Sequence, residues 1–179
     1  MKPINKMDQA ELAAFVNQHL SDSGLYVVLS GGAAVGIYSD GEYVSGDIDL
    51  VNARFASRDK IEKTMMELGF FIPKGRHFEH PETEHIIEFP PGPLQFGDGK
   101  VKTVDEMKFE TGILRIISPT DCIKDRLAHY YHWGDRQCLQ QAIMVASRHD
   151  INIKELHDWS KGEGKSEVFE RIQNDLQNT

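Results

Sequence analysis

Hydrophobic positions along the chain follow two periods, and where one replaces the other marks the predicted elements. Leu12, Phe15, Val16 and Leu20 recur at helical spacing. Asp8 with Glu11 three residues later forms a capping box, which predicts a helix opening there and ending near Leu20. Residues 26–30 read as a strand, 32–38 as a short helix, 39–42 as a loop and 46–51 as a second strand. Ser57 caps a helix with Ile61, Met65 and Leu68 inward and Gly69 at its end. Residues 70–72 suit a short strand, and the polar stretch 73–84 suits irregular structure. Residues 85–89 form a strand stopped by Pro90-Pro91-Gly92-Pro93, with further strands at 101–104 and 113–117. Beyond these the pattern is helical throughout. Ser118-Pro119-Thr120-Asp121 places an N-cap, a proline at the first position and an acid at the third. Helices are expected to Trp133, then over 135–149, 152–161 and 166–177. The expected fold is α/β (α+β): a mixed sheet flanked by helices over 1–117, with a C-terminal helical bundle over 118–179 packed on it.

At 179 residues a single domain is the default. No apolar run is long enough to span a bilayer, and residues 1–8 lack the apolar core of a signal peptide, so cytoplasm is the expected location. Cys122 and Cys138 suit reduced thiols, and without a CxxC spacing they do not suggest zinc. The net charge of -8 argues against broad nucleic-acid binding. It leaves room for a nucleotide, because a bound cation inverts the local charge. Lys100, Lys102, Lys108 and Arg115 are the candidates for a local basic patch, the simpler reading being scattered, solvated cations.

Charge in the strand 46–51 changes the picture most. Residues i and i+2 of a strand share a face, so Asp47 and Asp49 project together while Ile48 and Leu50 turn to the core. Adjacent carboxylates repel unless a cation sits between them. Oxygen-only ligands suit Mg²⁺, with Mn²⁺ as the alternative. Gly31 and Gly32 let the backbone approach a ligand closely, and the helix that follows offers N–H groups to phosphate. The bland alternative is a tight strand-to-helix turn, with the acids paired to lysine or arginine.

The stretch Val27-Val28-Leu29-Ser30-Gly31-Gly32, followed by Ser45-Gly46-Asp47-Ile48-Asp49-Leu50, resembles the signature of the nucleotidyltransferases of the DNA polymerase beta superfamily. Within it the chain is most similar to small bacterial proteins related to the AbiEii toxins. The resemblance is strong over residues 25–51 and continues more weakly to about 146. It implies a third carboxylate from a neighbouring strand. Glu88 is the best match, with Glu84 and Asp98 as rivals. Gly31 and Gly32 would cradle the triphosphate; many members carry Gly-Ser there, and Ser30 or Ser45 would replace that hydroxyl. The basic residue that often precedes Asp-x-Asp in the AbiEii-like relatives is missing from Tyr43-Val44-Ser45-Gly46. Lys124 would contact the triphosphate or act as general acid, Arg126 would be a second anion contact, and Asp135 a further polar position. On a helix Arg126 is displaced by about 100° from Asp125, so the two basic residues would not reach one phosphate equally.

The implied activity is transfer of a nucleoside monophosphate from a nucleoside triphosphate to an acceptor hydroxyl. The acceptor would be RNA (transfer RNA included), a protein or a small molecule. A toxin–antitoxin or phage-defence setting would add an antitoxin-like protein partner. The competing class is a non-catalytic binding module on the same fold. Histidines at His77, His80 and His85, and at His129 and His132, raise a zinc-based hydrolase as a third reading, solvated or capping histidines being simpler. The aromatic run Tyr130, Tyr131 and Trp133 is expected to pack between helices and sheet, with base stacking as its alternative use.

Overall fold

The computed structural model describes residues 2–97, 99–101 and 103–177. Its elements are α1 (Gln9–Asp22), β1 (Val27–Ser30), α2 (Gly31–Tyr38), β2 (Asp47–Asn52), α3 (Arg58–Glu67), β3 (Phe78–His80) and β4 (Thr83–Glu88). There follow β5 (Gln95–Phe96), β6 (Gly99–Lys100), β7 (Val104–Phe109), β8 (Gly112–Ile117), α4 (Pro119–Trp133), α5 (Arg136–Ala146), α6 (Ile153–Gly162) and α7 (Ser166–Gln177). Six strands make one mixed sheet in the order β3-β4-β2-β1-β8-β7, and β5 with β6 makes a separate small hairpin. β1 runs antiparallel to β2 and parallel to β8, while β2 runs parallel to β4. This is the mixed sheet flanked by helices, with a helical C-terminal part, that the sequence pattern implies.

Local chemistry explains the ends of the elements. The Asp8 side chain accepts from the Glu11 amide at 2.8 Å, and the Glu11 carboxylate accepts from the Asp8 amide at 2.9 Å. Ser118 accepts from the Asp121 amide at 3.2 Å to open α4, and Gly134, at φ +68°, closes it. All four residues of β1 are buried, which suits a central strand covered on both faces. Leu12 and Leu20 of α1, Leu29 of β1, Leu50 of β2 and Ile123 and Leu127 of α4 are fully buried in one continuous core. Each contributes roughly 1.5–3 kcal/mol by leaving water. That core joins the sheet to the C-terminal helices.

Two regions depart from the sequence pattern. Residues 70–72 are not a strand; Phe71 makes only an isolated bridge, exchanging two 2.9 Å hydrogen bonds with Glu79. The stretch 73–84, expected to be irregular, contains β3 and the start of β4. There one buried side chain, Phe78, anchors an otherwise polar edge strand. Of the strand expected over 101–104, Val101 and Thr103 are outside any strand, β7 begins at Val104, and Lys102 lies outside the described residues. β7 is dominated by charge and hard to recognise, but it pairs with β8 over six residue pairs. Among the described residues no helix is long and apolar enough to cross a membrane.

Candidate functional site

β2 sorts its side chains as a half-buried strand must. Ile48 and Leu50 are fully buried, while Asp47 and Asp49 are half-buried on the other face. Register then brings in the neighbours. Asp49 lies opposite Ser30 on β1 and beside Glu88 on β4, so Ser30, Asp49 and Glu88 form one row across three adjacent strands. Asp47 sits one step back, beside Ile86. The Gln9 amide fixes the approach to this strand by donating to the carbonyls of Ser45 at 3.0 Å and Asp47 at 3.5 Å.

The two glycines have different structural roles. Gly31 has φ +68°, and a Cβ on it would collide with the Asp49 carboxylate, so both backbone and packing require glycine there. At Gly32 a Cβ would lie 2.7 Å from the Ser45 hydroxyl and 3.2 Å from the Tyr43 ring. Ser45 therefore fills the space a side chain at position 32 would take. Its hydroxyl donates to Asp47 Oδ1 at 2.9 Å.

A cleft of about 300 Å³ opens over Ser30, Gly31 and Asp49. Asp125, Arg126 and His129 of α4 form one wall, and Pro90, Pro91 and residues 93–96 form another. Burial pushes the Asp49 carboxyl up to about 6, and the negative charges of Asp47, Glu88 and Asp125 add to the rise; Arg126 opposes it. Asp47, Asp49 and Glu88 make no ion pair among the described residues, so negative charge is in local surplus. Arg126 is buried and committed: it donates to Asp125 at 2.5 and 3.1 Å and to Gln141 at 3.2 Å. A second cavity, of about 760 Å³, shares Pro90 and Pro91 with the first. Glu88, Arg58, Arg76, Ile61 and Phe89 help line it.

The donor set fits a hard divalent cation. Its atoms are carboxylate oxygens, and their mutual repulsion is the penalty such a cation relieves. Among the described residues no three His, Cys, Asp or Glu side chains are gathered tightly enough to form a ready-made cage. Mg²⁺ suits such an open arrangement, because it keeps water and takes phosphate oxygens to complete its shell.

Other candidates sit elsewhere. Lys124 lines neither of these cavities; its ammonium lies 2.8 Å from Asp121 and 2.5 Å from Glu155, beside a separate cavity of about 410 Å³ that Lys100 also lines. Residues two apart on a helix point about 200° apart, so Arg126 faces the cleft and Lys124 does not. Asp135 is the N-cap of α5, accepting from the amides of Gln137 and Cys138 at 2.9 and 3.3 Å. Glu84 is exposed on β4 and lines neither cavity, while Asp98 and Lys102 lie outside the described residues. Arg115 pairs with Glu106 at 3.3 Å and stands over the Tyr26 ring, apart from Lys100.

The histidines pair locally, His77 with Glu79 at 2.9 Å and His132 with Glu163 at 3.1 Å. Tyr131 packs as expected, with its hydroxyl 2.9 Å from Ser160. Trp133 does not: it is 72 % exposed. Asp125 is a cleft residue that the sequence pattern does not single out, and His129, a zinc candidate by sequence, lines the same cleft. Their signal was the charge density of 118–127 and the i,i+4 spacing, which means little until the rotation of α4 is known.

No protein-family model matches this sequence, and no curated protein matches it. Solved structures do. The crystal structure of an antigenic nucleotidyltransferase-like protein from Paracoccidioides brasiliensis matches with a TM-score of 0.69, covering 95% of this chain and 93% of that one at 16% identity. The solution structure of the antibiotic-resistance factor ANT(2'')-Ia matches with a TM-score of 0.54, covering 96% of this chain and 97% of that one at 14% identity. The chain has a nucleotidyltransferase-like fold.

Proposed function

We propose that this protein is a Mg²⁺-dependent nucleotidyltransferase, with Mn²⁺ as the alternative cation, that moves a nucleoside monophosphate from a nucleoside triphosphate to an acceptor hydroxyl. The observation that carries this reading is the row Ser30–Asp49–Glu88, with Asp47 beside it and Gly31 at the strand-to-helix junction. Asp47, Asp49 and Glu88 would hold the cation, which when bound neutralises phosphate oxygens. Ser30 and the backbone at Gly31 and Gly32 would cradle the triphosphate at the start of α2. Ser45 would keep Asp47 oriented. Arg126 would present positive charge from the cleft wall, fixed by Asp125 and Gln141. Lys124 would support the helix that carries Arg126 instead of touching nucleotide.

Glu88 lines the larger cavity and is the carboxylate best placed to take the acceptor's proton. That cavity would give the acceptor its room. The AbiEii-like resemblance extends the proposal to RNA or transfer RNA, a protein or a small molecule as acceptor. It also extends it to an antitoxin-like partner in a toxin–antitoxin or phage-defence setting.

A non-catalytic binding module on the same fold is the competing reading. The test is transfer of label from an α-labelled nucleoside triphosphate with Mg²⁺ to separate RNA, protein and small-molecule pools. The enzyme reading expects transfer to one pool, lost in Asp49→Asn with an unchanged circular dichroism spectrum. No transfer to any pool by folded wild type would favour the module.

A further inference from the structure

Asp125, His129 and Trp133 recur every fourth residue along α4 and so share one face of the helix. Asp125 lies low on that face, close enough to act on the Asp49 carboxyl. His129, one turn on, is exposed and lines the same cleft. Trp133, a further turn on, is 72 % exposed, and its ring lies 5.0 Å from that of His129. The cleft of about 300 Å³ over Asp49 suits phosphates and a cation but is small for a whole nucleotide. About 12 Å of helix separates Asp125 from Trp133 at 1.5 Å per residue, the span over which a base would extend from its phosphates. A large aromatic left in water beside a phosphate-sized cleft has an obvious use, because every base offers a face to stack on.

We propose that the His129–Trp133 face of α4 is the nucleobase platform of the donor site, stacking the base of a nucleoside triphosphate whose phosphates lie over Gly31 and Asp49. This rests on the nucleotidyltransferase reading and adds where the base goes. Stacking on an open ring with no hydrogen-bond readout makes the site tolerant of base identity and biased towards purines by contact area.

The test compares ATP, CTP and inorganic tripolyphosphate, each with Mg²⁺, by calorimetry and tryptophan fluorescence on the full chain. Wild type should bind ATP roughly five- to a hundredfold more tightly than tripolyphosphate, with CTP between them. Trp133→Ala should collapse that ratio to within about twofold while leaving tripolyphosphate affinity unchanged, and Trp133→Phe should keep most of it. ATP should quench the fluorescence of wild type but not of Trp133→Phe, in which Trp159 is the remaining tryptophan. An undiminished ATP-to-tripolyphosphate ratio in Trp133→Ala would overturn the platform. Equal binding of ATP and tripolyphosphate by wild type would overturn it too, and would leave the phosphate site standing. Binding of neither by wild type would remove both.

Discussion

α4 carries two charge clusters on opposite sides, and they differ in whether the charge is balanced. On one side Lys124 is buried between Asp121 and Glu155, and its pair with Glu155 ties α4 to α6. On the other, Asp49 feels Asp47, Glu88 and Asp125 against the buried Arg126, which is already bonded to Asp125, and among the described residues Asp47, Asp49 and Glu88 make no ion pair. Both clusters cost desolvation, but only the first recovers it within the fold. A charge set that the fold does not neutralise is the kind that the proposed cation and phosphate would complete.

The largest effect expected from breaking this comparison is on the balanced side. Lys124→Met leaves Asp121 buried without its cation and should cost ~2–4 kcal/mol in urea unfolding, with nucleotide affinity within about twofold of wild type. Gly31→Ala comes next, forcing an alanine to φ +68° and against the Asp49 carboxylate. A loss of ~2–3 kcal/mol is expected, accompanied by weaker Mg²⁺ binding in calorimetry.

Asp49→Asn should act in the opposite direction. The folded carboxyl titrates near 6, above its ordinary 3.8, so the folded chain holds the proton that the unfolded chain has released between those values. Stability of the metal-free protein therefore falls as pH rises through that window. Asp49→Asn removes the penalty and should gain ~1–2 kcal/mol near pH 7, shrinking to nothing below about pH 4, as read from melting temperature against pH. Smallest is Ser45→Ala, which removes one hydrogen bond to Asp47. It should change stability by about 1 kcal/mol or less and weaken Mg²⁺ binding a few-fold in calorimetry.

How far the sequence shows these features depends on how local their causes are. The strand carrying Asp47 and Asp49, the Asp8 and Ser118 caps and the glycine junction are set by neighbours a few residues away, and the pattern shows them. Placing Glu88 beside Asp49 needs strand register, which the family resemblance only implies and the β2–β4 pairing supplies. β3 and β7 are edge strands whose polar sequences make sense only once β4 and β8 are beside them. The opposite sides taken by Lys124 and Arg126 depend on how α4 rotates to bury Ile123 and Leu127. Helical spacing gives their angular separation but not which of the two meets the sheet.

The most direct measurement is calorimetric titration of the four common nucleoside triphosphates with Mg²⁺ into wild type, Asp47→Asn/Asp49→Asn and Lys124→Met. Saturable, Mg²⁺-dependent binding that the double variant loses and Lys124→Met keeps is the predicted result. Binding that survives in the double variant, or no binding by folded wild type, would contradict the assignment of the unbalanced cluster to cation and phosphate.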